Sequence, residues 1–396
     1  MKILIAADLC WPTINGVATF TRNLAQGMAA RGHEVLVIAP SQIGRRYTET
    51  DGNYKIIRTA SVPFPFYQNF KISLNPAREV RRIIEDFEPD IIHIQMLMWI
   101  GQATMRYAVK HEIPVIATNH AMPENLMDNL KLLAPLSRPI NYVLREYGAR
   151  FHAKADYVTM PTDSAITMFG ALDKVSVPMI AISNGIDLER FRPAKDKKAL
   201  RKQFKLPDVP LVTYVGRLDA EKHIPILIKA FADVHKELGA HMVIVGSGGE
   251  VENLEYMADD FGVGEHVTFT GKVSDDDLVL LQQVGDVFAM PSPAELQSIA
   301  TLEAMASGQP VIAVDKGALR ELCQDGVNGV LCQADNVDEI ADALRSILSD
   351  PALQKQYSAA SLKIAATHDM KHTLNEFEEL YDTVIHSKHA LLAARN

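Results

Sequence analysis

The sequence predicts an α/β protein that contains two doubly wound parallel sheets in tandem. Short apolar runs rich in β-branched residues alternate with helical patterns, as expected for parallel strands joined by helices. This alternation of strands and helices stops at residue 184. A charged segment follows, and the alternation starts again at residue 210. The chain of 396 residues is also too long for one compact core, so two domains of ordinary size are expected.

The first predicted domain, residues 1–184, begins with a strand and then alternates helices with strands. Its predicted helices include 16–33, which closes with Gly32, and 75–89, which opens with Asn75-Pro76. Its predicted strands are apolar enough for burial on both faces. They cover residues 2–7, 34–40, 90–95, 114–120 and 156–162.

The second predicted domain, residues 185–371, follows a connection over 184–210 that contains three prolines and a short helix. Helical segments, one of them from Pro225 to Leu238, separate predicted strands at 210–218, 241–248, 266–273, 286–292, 309–315 and 329–332. A long amphipathic helix, 372–394, follows the last strand. Its course stays open, and a return to the first domain, which residues 372–396 would then complete, is one option.

Composition favours a globular protein of a reducing compartment. The chain is 47% apolar and 22% charged, and no apolar run approaches the ~18–20 residues that cross a membrane. The opening MKILIAADLC is too short for a signal peptide and is interpreted as the first strand. Cys10, Cys323 and Cys332 lack metal-ligand spacing, so we expect a cytoplasmic protein without structural zinc.

Charge is distributed unevenly along the chain. Residues 1–185 contain 19 Lys and Arg against 16 Asp and Glu, whereas the remainder contains 21 against 33. The positive excess of the first half would favour a partner with phosphate groups or an anionic membrane surface. Chance variation between two surfaces explains the same numbers, so both interpretations stay open.

Ligands of doubly wound sheets bind at the carboxyl ends of the strands, so the residues there indicate function. The first strand of the second domain ends at Gly216, which lets the backbone approach a ligand. Arg217 and Lys222 follow, close to the start of the next helix, and two cations beside a helix N-terminus suit a diphosphate. The alternative is a pair of solvated side chains in a surface loop.

The next strand ends at Gly246 and Gly248, with Ser247 between them. The stretch resembles a dinucleotide turn, but Val251 stands where the third glycine of that fingerprint should be. No acidic residue closes a strand about 20 residues further on, which the fingerprint also requires. We therefore interpret the stretch as a glycine-rich floor beneath a nucleotide rather than an NAD site.

Glu295 and Glu303 lie in the stretch PSPAELQSIATLEAMASG, the first in a predicted loop and the second one turn inside a helix that starts near Ser298. The first-turn N–H groups of Ser298, Ile299 and Ala300 could hold a phosphate, aided by the helix dipole. Glu303 could accept hydrogen bonds from a ribose diol, while Glu295 reaches the other end of the ligand. An exposed surface glutamate is the alternative for Glu303, but its apolar neighbours favour burial, and a buried Glu needs a partner.

The first half of the chain offers fewer polar residues at strand ends. Gly16 lets the chain pass close to a ligand at the start of a helix, and His120 ends the strand 114–120. His120 could bond a ligand hydroxyl, although a packed or solvated histidine is the ordinary case. Asn184-Gly185 forms a tight turn at the mouth of the expected cleft between the domains.

Taken together, these residues resemble the retaining glycosyltransferases of family 4, whose GT-B fold has two Rossmann-like domains that face a cleft. The matching features run in the family's order over essentially the whole chain, and they are specific as a set. They are the Gly16 loop, His120, Asn184-Gly185-Ile186-Asp187, Gly216-Arg217 with Lys222, Gly246-Ser247-Gly248, and the Glu295/Glu303 pair.

The resemblance implies a nucleotide-sugar donor in the second domain. Arg217 and Lys222 would then stabilise the leaving diphosphate. Glu295 and His120 would contact the transferred sugar, and Glu303 would bind the ribose. The donor-binding candidates are Gly16, Asn184, Gly216, Arg217, Lys222, Gly246, Gly248, Ser298, Ile299, Ala300 and Glu303.

The resemblance also implies retention of anomeric configuration through a front-face, oxocarbenium-like path, without a metal or another cofactor. The sequence is consistent with this, since we find no pair of carboxylates placed for a double displacement. One stretch departs from the family, whose loop after the first Glu usually has Gly-Phe-Gly where this chain has Leu296-Gln297-Ser298. The loss of both glycines leaves the identity of the sugar open.

The acceptor is expected on the first domain. The aromatic stretch 63–74 and the segment 126–154 combine apolar and basic side chains, which suits an anionic membrane surface. A helix that packs its apolar face inward is the alternative. The stretch 120–125 looks like that of bacterial glycolipid-forming relatives, including diacylglycerol glucosyltransferases. Acceptor-side candidates are Glu124, Asn125 and Lys131.

The leading hypothesis is a retaining enzyme that moves a hexose from a UDP-sugar to a membrane lipid such as diacylglycerol, with glucose as the leading candidate for the hexose. The expected location is the inner face of the cell membrane. Close alternatives are a GDP-mannose donor, or a soluble or polyprenyl-linked glycan as acceptor. A sugar-nucleotide epimerase of GT-B fold is more distant. A ligand-binding protein without activity is disfavoured by the many phosphate- and ribose-directed groups, and no nucleic-acid partner is expected.

Overall fold

The computed structural model describes residues 1–13, 15–64, 70–120, 137–169 and 175–394. These residues divide into two compact units. The first unit combines described residues from 1–183 with residues 373–394, and the second comprises 184–372. Each unit has a sheet of largely parallel strands with helices packed against it, so the predicted α/β class with two doubly wound sheets is confirmed.

The strands of the first unit are short and mostly buried. They are β1 (Lys2–Ala6), β2 (Glu34–Pro40), β3 (Tyr47–Asp51), β4 (Tyr54–Thr59), β5 (Ser61–Pro63), β6 (Lys71–Ser73), β7 (Ile91–Ile94), β8 (Val115–Thr118), β9 (Tyr157–Met160) and β10 (Met179–Ala181). In the described residues, eight strands form a sheet in the order β10-β9-β8-β7-β1-β2-β4-β3, while β5 and β6 pair separately. Strand β3 runs antiparallel to β4, and the other neighbours are parallel.

The helices of the first unit connect these strands. They are α1 (Gly16–Ala30), α2 (Pro76–Phe87), α3 (Trp99–Lys110), α4 (Ser137–His152) and α5 (Asp163–Met168). The Asn15 side chain caps α1 by accepting the Ala18 N–H at 2.8 Å. The buried Asp8 carboxylate, just after β1, accepts the N–H groups of Ile100 and Gly101 at 2.8 and 3.1 Å and so holds the start of α3.

The second unit alternates strands and helices up to its last strand and then adds two consecutive helices. Its strands are β11 (Leu211–Val215), β12 (His241–Val245), β13 (Val267–Gly271), β14 (Val287–Met290), β15 (Val311–Val314) and β16 (Gly329–Cys332). Its helices are α6 (Lys197–Gln203), α7 (Ile224–Leu238), α8 (Val251–Asp260), α9 (Asp275–Gln282), α10 (Ile299–Ala306), α11 (Leu319–Leu322), α12 (Val337–Ser349) and α13 (Pro351–Ala366). The described strands form a parallel sheet in the order β13-β12-β11-β14-β15-β16.

The long terminal helix α14 (Met370–Ala393) packs on the first unit. The Phe377 ring lies 5.7 Å from the ring of Phe20 on α1 and 5.3 Å from that of His93 on β7. The buried Tyr381 hydroxyl lies 2.7 Å from His93 Nδ1. Helix α14 thus returns to the first unit, which is the option named from the sequence.

Candidate active site

The strand order of the second unit reverses between β11 and β14, which are neighbours in the sheet. Such a reversal leaves a crevice outside the carboxyl ends of the strands, where ligands of doubly wound sheets bind. Gly216, Arg217 and Lys222 follow β11, and Glu295 follows β14. The fold therefore brings together residues that the sequence places at two distant strand ends.

Gly216 and Gly246 end β11 and β12, and the two loops that follow are in direct backbone contact. The Gly216 N–H donates to the Val245 carbonyl at 3.0 Å. A Cβ atom at Gly246 would lie 1.8 Å from the Gly216 carbonyl oxygen, and one at Gly248 would lie 2.2 Å from that of Leu218. The glycines at 246 and 248 are therefore needed for packing, whatever contact they make with a donor.

Arg217 is ion-paired in this structure with two carboxylates that follow it in the chain, Asp219 and Glu221. Glu221 is buried, whereas the Arg217 side chain is 29% exposed. The guanidinium is therefore held in place by its neighbours and still reaches the surface at the strand end. An anionic ligand at this position has to displace the two carboxylates from the Arg217 guanidinium or bind the guanidinium together with them.

Lys222 and Glu295 form a direct ion pair, with 2.6 Å between Lys222 Nζ and Glu295 Oε1. Both side chains are almost fully buried, at 13% and 12% exposure. Burial by itself raises the pKa of the Glu295 carboxyl, but the charge and hydrogen bond of Lys222 outweigh it, and the pKa lies below its ordinary value. The carboxylate is therefore ionised at neutral pH, and Lys222 is oriented by it.

Helix α10 begins directly after this loop, with Ser298 as its N-cap. The Ser298 hydroxyl accepts the Thr301 N–H at 3.3 Å and the Thr301 hydroxyl at 2.8 Å, so it serves the cap. Helical geometry gives the N–H groups of Ile299 and Ala300 no partner within the helix. With the positive end of the helix dipole, these donors make the predicted phosphate site geometrically reasonable.

Glu303 is buried within α10, as its apolar neighbours indicate. Its Oε2 accepts a hydrogen bond from Gln282 Nε2 at 3.1 Å, and the same nitrogen donates to the Ala300 carbonyl at 3.1 Å. Burial raises the pKa of Glu303 to about 7, although the Gln282 hydrogen bond lowers it somewhat. Near neutral pH the group therefore exists as a mixture of acid and carboxylate, and ligand donors would shift it to the carboxylate.

Asn184 and Gln297 are in contact, although 113 residues separate them in the chain. The Asn184 N–H donates to Gln297 Oε1 at 2.8 Å, and both residues are buried. Gln297 belongs to the Leu296-Gln297-Ser298 stretch that departs from the family's glycines. The departure thus places a side chain that fixes the donor-side loop to the turn at residue 184, a contact that sequence reasoning missed.

His120 and Gly16 lie in the first unit, at the carboxyl side of its sheet. Gly16 is exposed as the first residue of α1, and His120 follows β8 by two residues. His120 Nε2 lies 2.8 Å from Gln95 Oε1, and the ring packs 5.1 Å from that of Phe20. Burial lowers the pKa of His120 to about 3, so its imidazole is neutral at physiological pH.

The acceptor-side candidates Glu124, Asn125 and Lys131 lie outside the described residues, as does the part of the segment 126–154 before residue 137. Helix α4 forms most of the described remainder of this segment. Its second half contains the buried residues Ala149, Phe151 and His152, so part of the helix does pack inward. The acceptor assignments stay predictions.

Two glutamines contact the predicted site residues and were not identified from the sequence. Gln95 contacts His120, and Gln282 contacts Glu303. Gln95 had a usable signal, because it is a polar residue directly after the buried strand β7. Gln282 had none, since one of two adjacent glutamines in a helix looks like an ordinary surface residue.

Two protein-family models match the chain, one in each half. The model described as Glycosyltransferase Family 4 matches residues 14–190. The model described as Glycosyl transferases group 1 matches residues 196–363. The two matches meet close to the division between the two units.

Curated relatives agree with these models. The chain is 27% identical over 386 residues to alpha-monoglucosyldiacylglycerol synthase of Streptococcus pneumoniae, covering 95% of this chain and 85% of that protein. It is 32% identical over 266 residues to a GDP-mannose-dependent alpha-(1-6)-phosphatidylinositol monomannoside mannosyltransferase of Mycobacterium tuberculosis, covering 62% of this chain and 69% of that protein. The first is named for the synthesis of a glucosylated diacylglycerol, and the second for the transfer of mannose.

The fold is shared with solved structures of the same class. Sucrose-phosphate synthase from Thermosynechococcus elongatus superposes with a TM-score of 0.80 at 20% identity, over 98% of this chain and 99% of that one. The predicted fold, with two Rossmann-like units of the GT-B type, is therefore confirmed. By family models, relatives and fold, the chain is a glycosyltransferase and belongs to glycosyltransferase family 4.

Proposed function

We propose that this protein is a retaining, metal-independent glycosyltransferase that moves glucose from a UDP-sugar to a membrane lipid such as diacylglycerol. The donor half of the proposal depends on one observation above all. A buried Lys222–Glu295 ion pair lies where the strand order reverses, with Arg217 on one side and the start of α10 following. This arrangement suits a ligand with an anionic middle and hydroxyl groups at both ends.

Each group would act on a different part of the donor. Lys222, Arg217 and the first N–H groups of α10 offset the negative charge that develops on the leaving diphosphate, where preorganised donors are most effective. Glu295 accepts hydrogen bonds from sugar hydroxyls, and Glu303 accepts them from the ribose. The leaving phosphate takes the proton of the acceptor hydroxyl, so the new bond forms on the face that the diphosphate leaves.

A lipid acceptor is supported by the names of both relatives. The pneumococcal protein is named for a diacylglycerol product and the mycobacterial one for a phosphatidylinositol mannoside. Their donor sugars differ, whereas both names contain a glycerolipid. Both relatives therefore support a glycerolipid as acceptor, whereas only the pneumococcal protein supports glucose as the transferred sugar.

The outer face of helix α4 supports contact with a membrane surface. Tyr142, Val143 and Tyr147 are 64%, 62% and 46% exposed. The Arg150 side chain is 82% exposed and forms a 3.8 Å ion pair with Glu146 one turn earlier. Helical spacing places these four residues on one face, where aromatic and basic groups together suit an interface with anionic lipid. Among the described residues, no helix has the length and apolarity needed to cross a bilayer. We propose peripheral binding at the inner face of the cell membrane.

The second candidate is a GDP-mannose-dependent mannosyltransferase. It is favoured by the mycobacterial relative, which has the higher identity of the two, at 32%. The Leu296-Gln297-Ser298 stretch matters for this choice because it precedes α10 and holds the loop next to Glu295. A change of hexose is therefore expected to depend on this loop rather than on the ion pair.

A donor-by-acceptor activity screen tests the proposal. UDP-glucose, UDP-galactose and GDP-mannose are each combined with diacylglycerol, phosphatidylinositol, lipid extract, soluble glycans and a polyprenyl-linked sugar. We expect turnover with UDP-glucose and diacylglycerol, an unchanged rate in EDTA, and retention of the donor's anomeric configuration in the product by NMR. Turnover with GDP-mannose alone would replace glucose by mannose. Nucleotide release without any acceptor would instead favour the epimerase alternative or simple hydrolysis.

A further inference from the structure

A row of polar side chains, all buried except the partly buried His120, crosses the sheet of the first unit beneath helix α14. We define this row, the polar ladder, by its members, and they are His93, Gln95, Thr118, His120 and Thr159. Because alternate residues of a strand point to the same face, positions 93 and 95 share a face, as do positions 118 and 120. His93 Nε2 lies 2.6 Å from Thr118 Oγ1, which lies 2.5 Å from Thr159 Oγ1.

Gln95 occupies a special position in this row. It follows β7, beside β1, where the strand order of the first unit reverses, and it is fully buried. Its N–H donates to the Ala6 carbonyl at 2.9 Å, which fixes its backbone to the central strand. Gln95 thus buries an amide at the ligand-binding edge of a doubly wound sheet. Burial of an amide costs more free energy than burial of an apolar side chain, so this residue type calls for an explanation.

The contact between Gln95 and His120 determines where the imidazole proton lies. Gln95 Oε1 is 2.8 Å from His120 Nε2, and an amide oxygen can only accept a hydrogen bond. With the Gln95 amide in the orientation of this structure, His120 Nε2 is therefore the protonated nitrogen. The imidazole is neutral, since burial lowers the pKa of His120 to about 3, so His120 Nδ1 has no proton and is an acceptor.

We propose that Gln95 is a positioning residue that holds His120 as the Nε2–H tautomer, so that His120 Nδ1 accepts a hydrogen bond from a hydroxyl of the bound substrate. The contact of His120 with substrate rests on the proposed function. The tautomer and its dependence on Gln95 rest on the geometry of the first unit alone. An acceptor at this position selects a substrate that presents a hydroxyl and rejects one that presents only an acceptor there.

A second observation separates this role from simple packing. The amide nitrogen of Gln95 is buried and has no hydrogen-bond partner in the part of the chain that the structure describes. An unpaired buried N–H is unfavourable. If the side chain at position 95 only filled space, an apolar residue of similar size would therefore be more stable there than glutamine. The free N–H is attached to the same carbon as the oxygen that holds His120, so an oxygen atom of the same substrate could accept from it.

The test uses the full chain labelled with 15N-histidine, and it reads the ring nitrogens of His120 by two-bond 1H–15N correlation spectra. His120→Asn assigns the His120 signals among the 13 histidines. In the unmodified protein at pH 7 we expect a neutral ring with the proton on Nε2. In Gln95→Met, which has a similar shape without the amide, we expect a mixture of tautomers and a kcat about tenfold lower with little change in KM.

Gln95→Glu provides an independent variant, because a carboxylate next to His120 favours the imidazolium. We expect the pKa of His120 to rise by about 1–3 units and a new pH dependence of kcat. Thr118→Val is the matched control, since it removes a polar group of the same polar ladder that does not touch His120. We expect it to lower the melting temperature while the His120 tautomer stays unchanged.

Two results would overturn the proposal. One is a His120 ring with the proton on Nδ1 in the unmodified protein, and the other is an Nε2–H tautomer that persists in Gln95→Met. If the tautomer follows Gln95 but kcat responds to neither Gln95→Met nor His120→Asn, the tautomer assignment stands, but its use for substrate is wrong. Such a result would remove His120 from the proposed function and leave the donor-site residues of the second unit untouched.

Discussion

Lys222 Nζ and Glu295 Oε1 lie 2.6 Å apart, although 73 residues separate the two in the chain. The pair joins the loop after β11 to the loop after β14, the neighbouring strands at which the sheet order reverses. Both side chains are nearly buried, and the charge and hydrogen bond of Lys222 hold the pKa of the Glu295 carboxyl below its ordinary value. The ion pair is therefore a structural link and, in the proposed function, part of the donor site.

Substitution of Lys222 by alanine separates these two roles. We expect kcat/KM to fall about 100-fold or more, because a preorganised cation at the leaving diphosphate is lost. Unfolding free energy should fall by only about 1–2 kcal/mol, because burial lets the Glu295 carboxyl take up a proton once Lys222 is gone. Lys236→Ala, at an exposed position on α7, is the control for the loss of a lysine. Equal losses of activity and stability, on a free-energy scale, would make Lys222 a structural residue.

Donor affinity is expected to depend on pH through Glu303. Its pKa of about 7 means that the carboxylate fraction rises roughly tenfold between pH 6 and pH 8. Ribose hydroxyls donate to the carboxylate, so the affinity for UDP-glucose, measured by calorimetry, should rise by up to about tenfold over this range. Glu303→Gln should weaken binding and remove the pH dependence, whereas Glu252→Gln on the exposed face of α8 should change neither. An affinity that ignores Glu303→Gln would contradict the ribose role.

The same group should lower the stability of the ligand-free protein at high pH. A carboxyl whose folded-state pKa is raised from 4.5 to about 7 holds its proton longer in the folded than in the unfolded chain. Stability therefore falls as pH rises from about 4.5 to about 7, by up to about 3 kcal/mol. Glu303→Gln should be more stable than the unmodified protein at pH 8, and the difference should vanish near pH 4.5. Urea denaturation at both pH values measures this, and a constant difference would show that Glu303 does not titrate in this range.

Vesicle sedimentation tests the exposed face of α4. We expect binding to vesicles with anionic phosphatidylglycerol at low salt and weaker binding at high salt, since the attraction of basic residues is screened. The combined variant Tyr142→Ser, Tyr147→Ser and Arg150→Glu should bind at least tenfold more weakly. Tyr256→Ser is the control, because Tyr256 is 69% exposed but lies on α8 of the second unit. Equal binding to neutral phosphatidylcholine, or no effect of the triple variant, would argue against this surface.

Strand ends were predictable from the sequence because buried parallel strands are local apolar runs, and the residues after them are adjacent in the chain. Gly216, Lys222 and Glu295 were found in this way. Five strands of the first unit were not predicted. Strand β3 is polar, β4 has only a short apolar run between charged residues, and β5, β6 and β10 have three residues each. Their pairing depends on neighbours rather than on their own composition.

Partners across the fold could not be predicted, because they are set by tertiary packing. The sequence assigned Arg217 to a diphosphate and gave no sign of its ion pairs with Asp219 and Glu221. It noted that Leu296-Gln297-Ser298 replaces the family's Gly-Phe-Gly but gave no sign that Asn184 would donate to Gln297. The residue types at the candidate site were thus visible, while their protonation and orientation needed the coordinates.

The contacts of helix α14 have a consequence for the order in which the protein folds during synthesis. Phe377 and Tyr381 complete the core around Phe20 and His93, yet the ribosome makes them after the entire second unit. Until α14 has been synthesised, the first unit therefore exposes the apolar surface that α14 covers, whereas the second unit can already fold. A chain released after residue 372 should be cleaved by protease in its first half and resist it in its second.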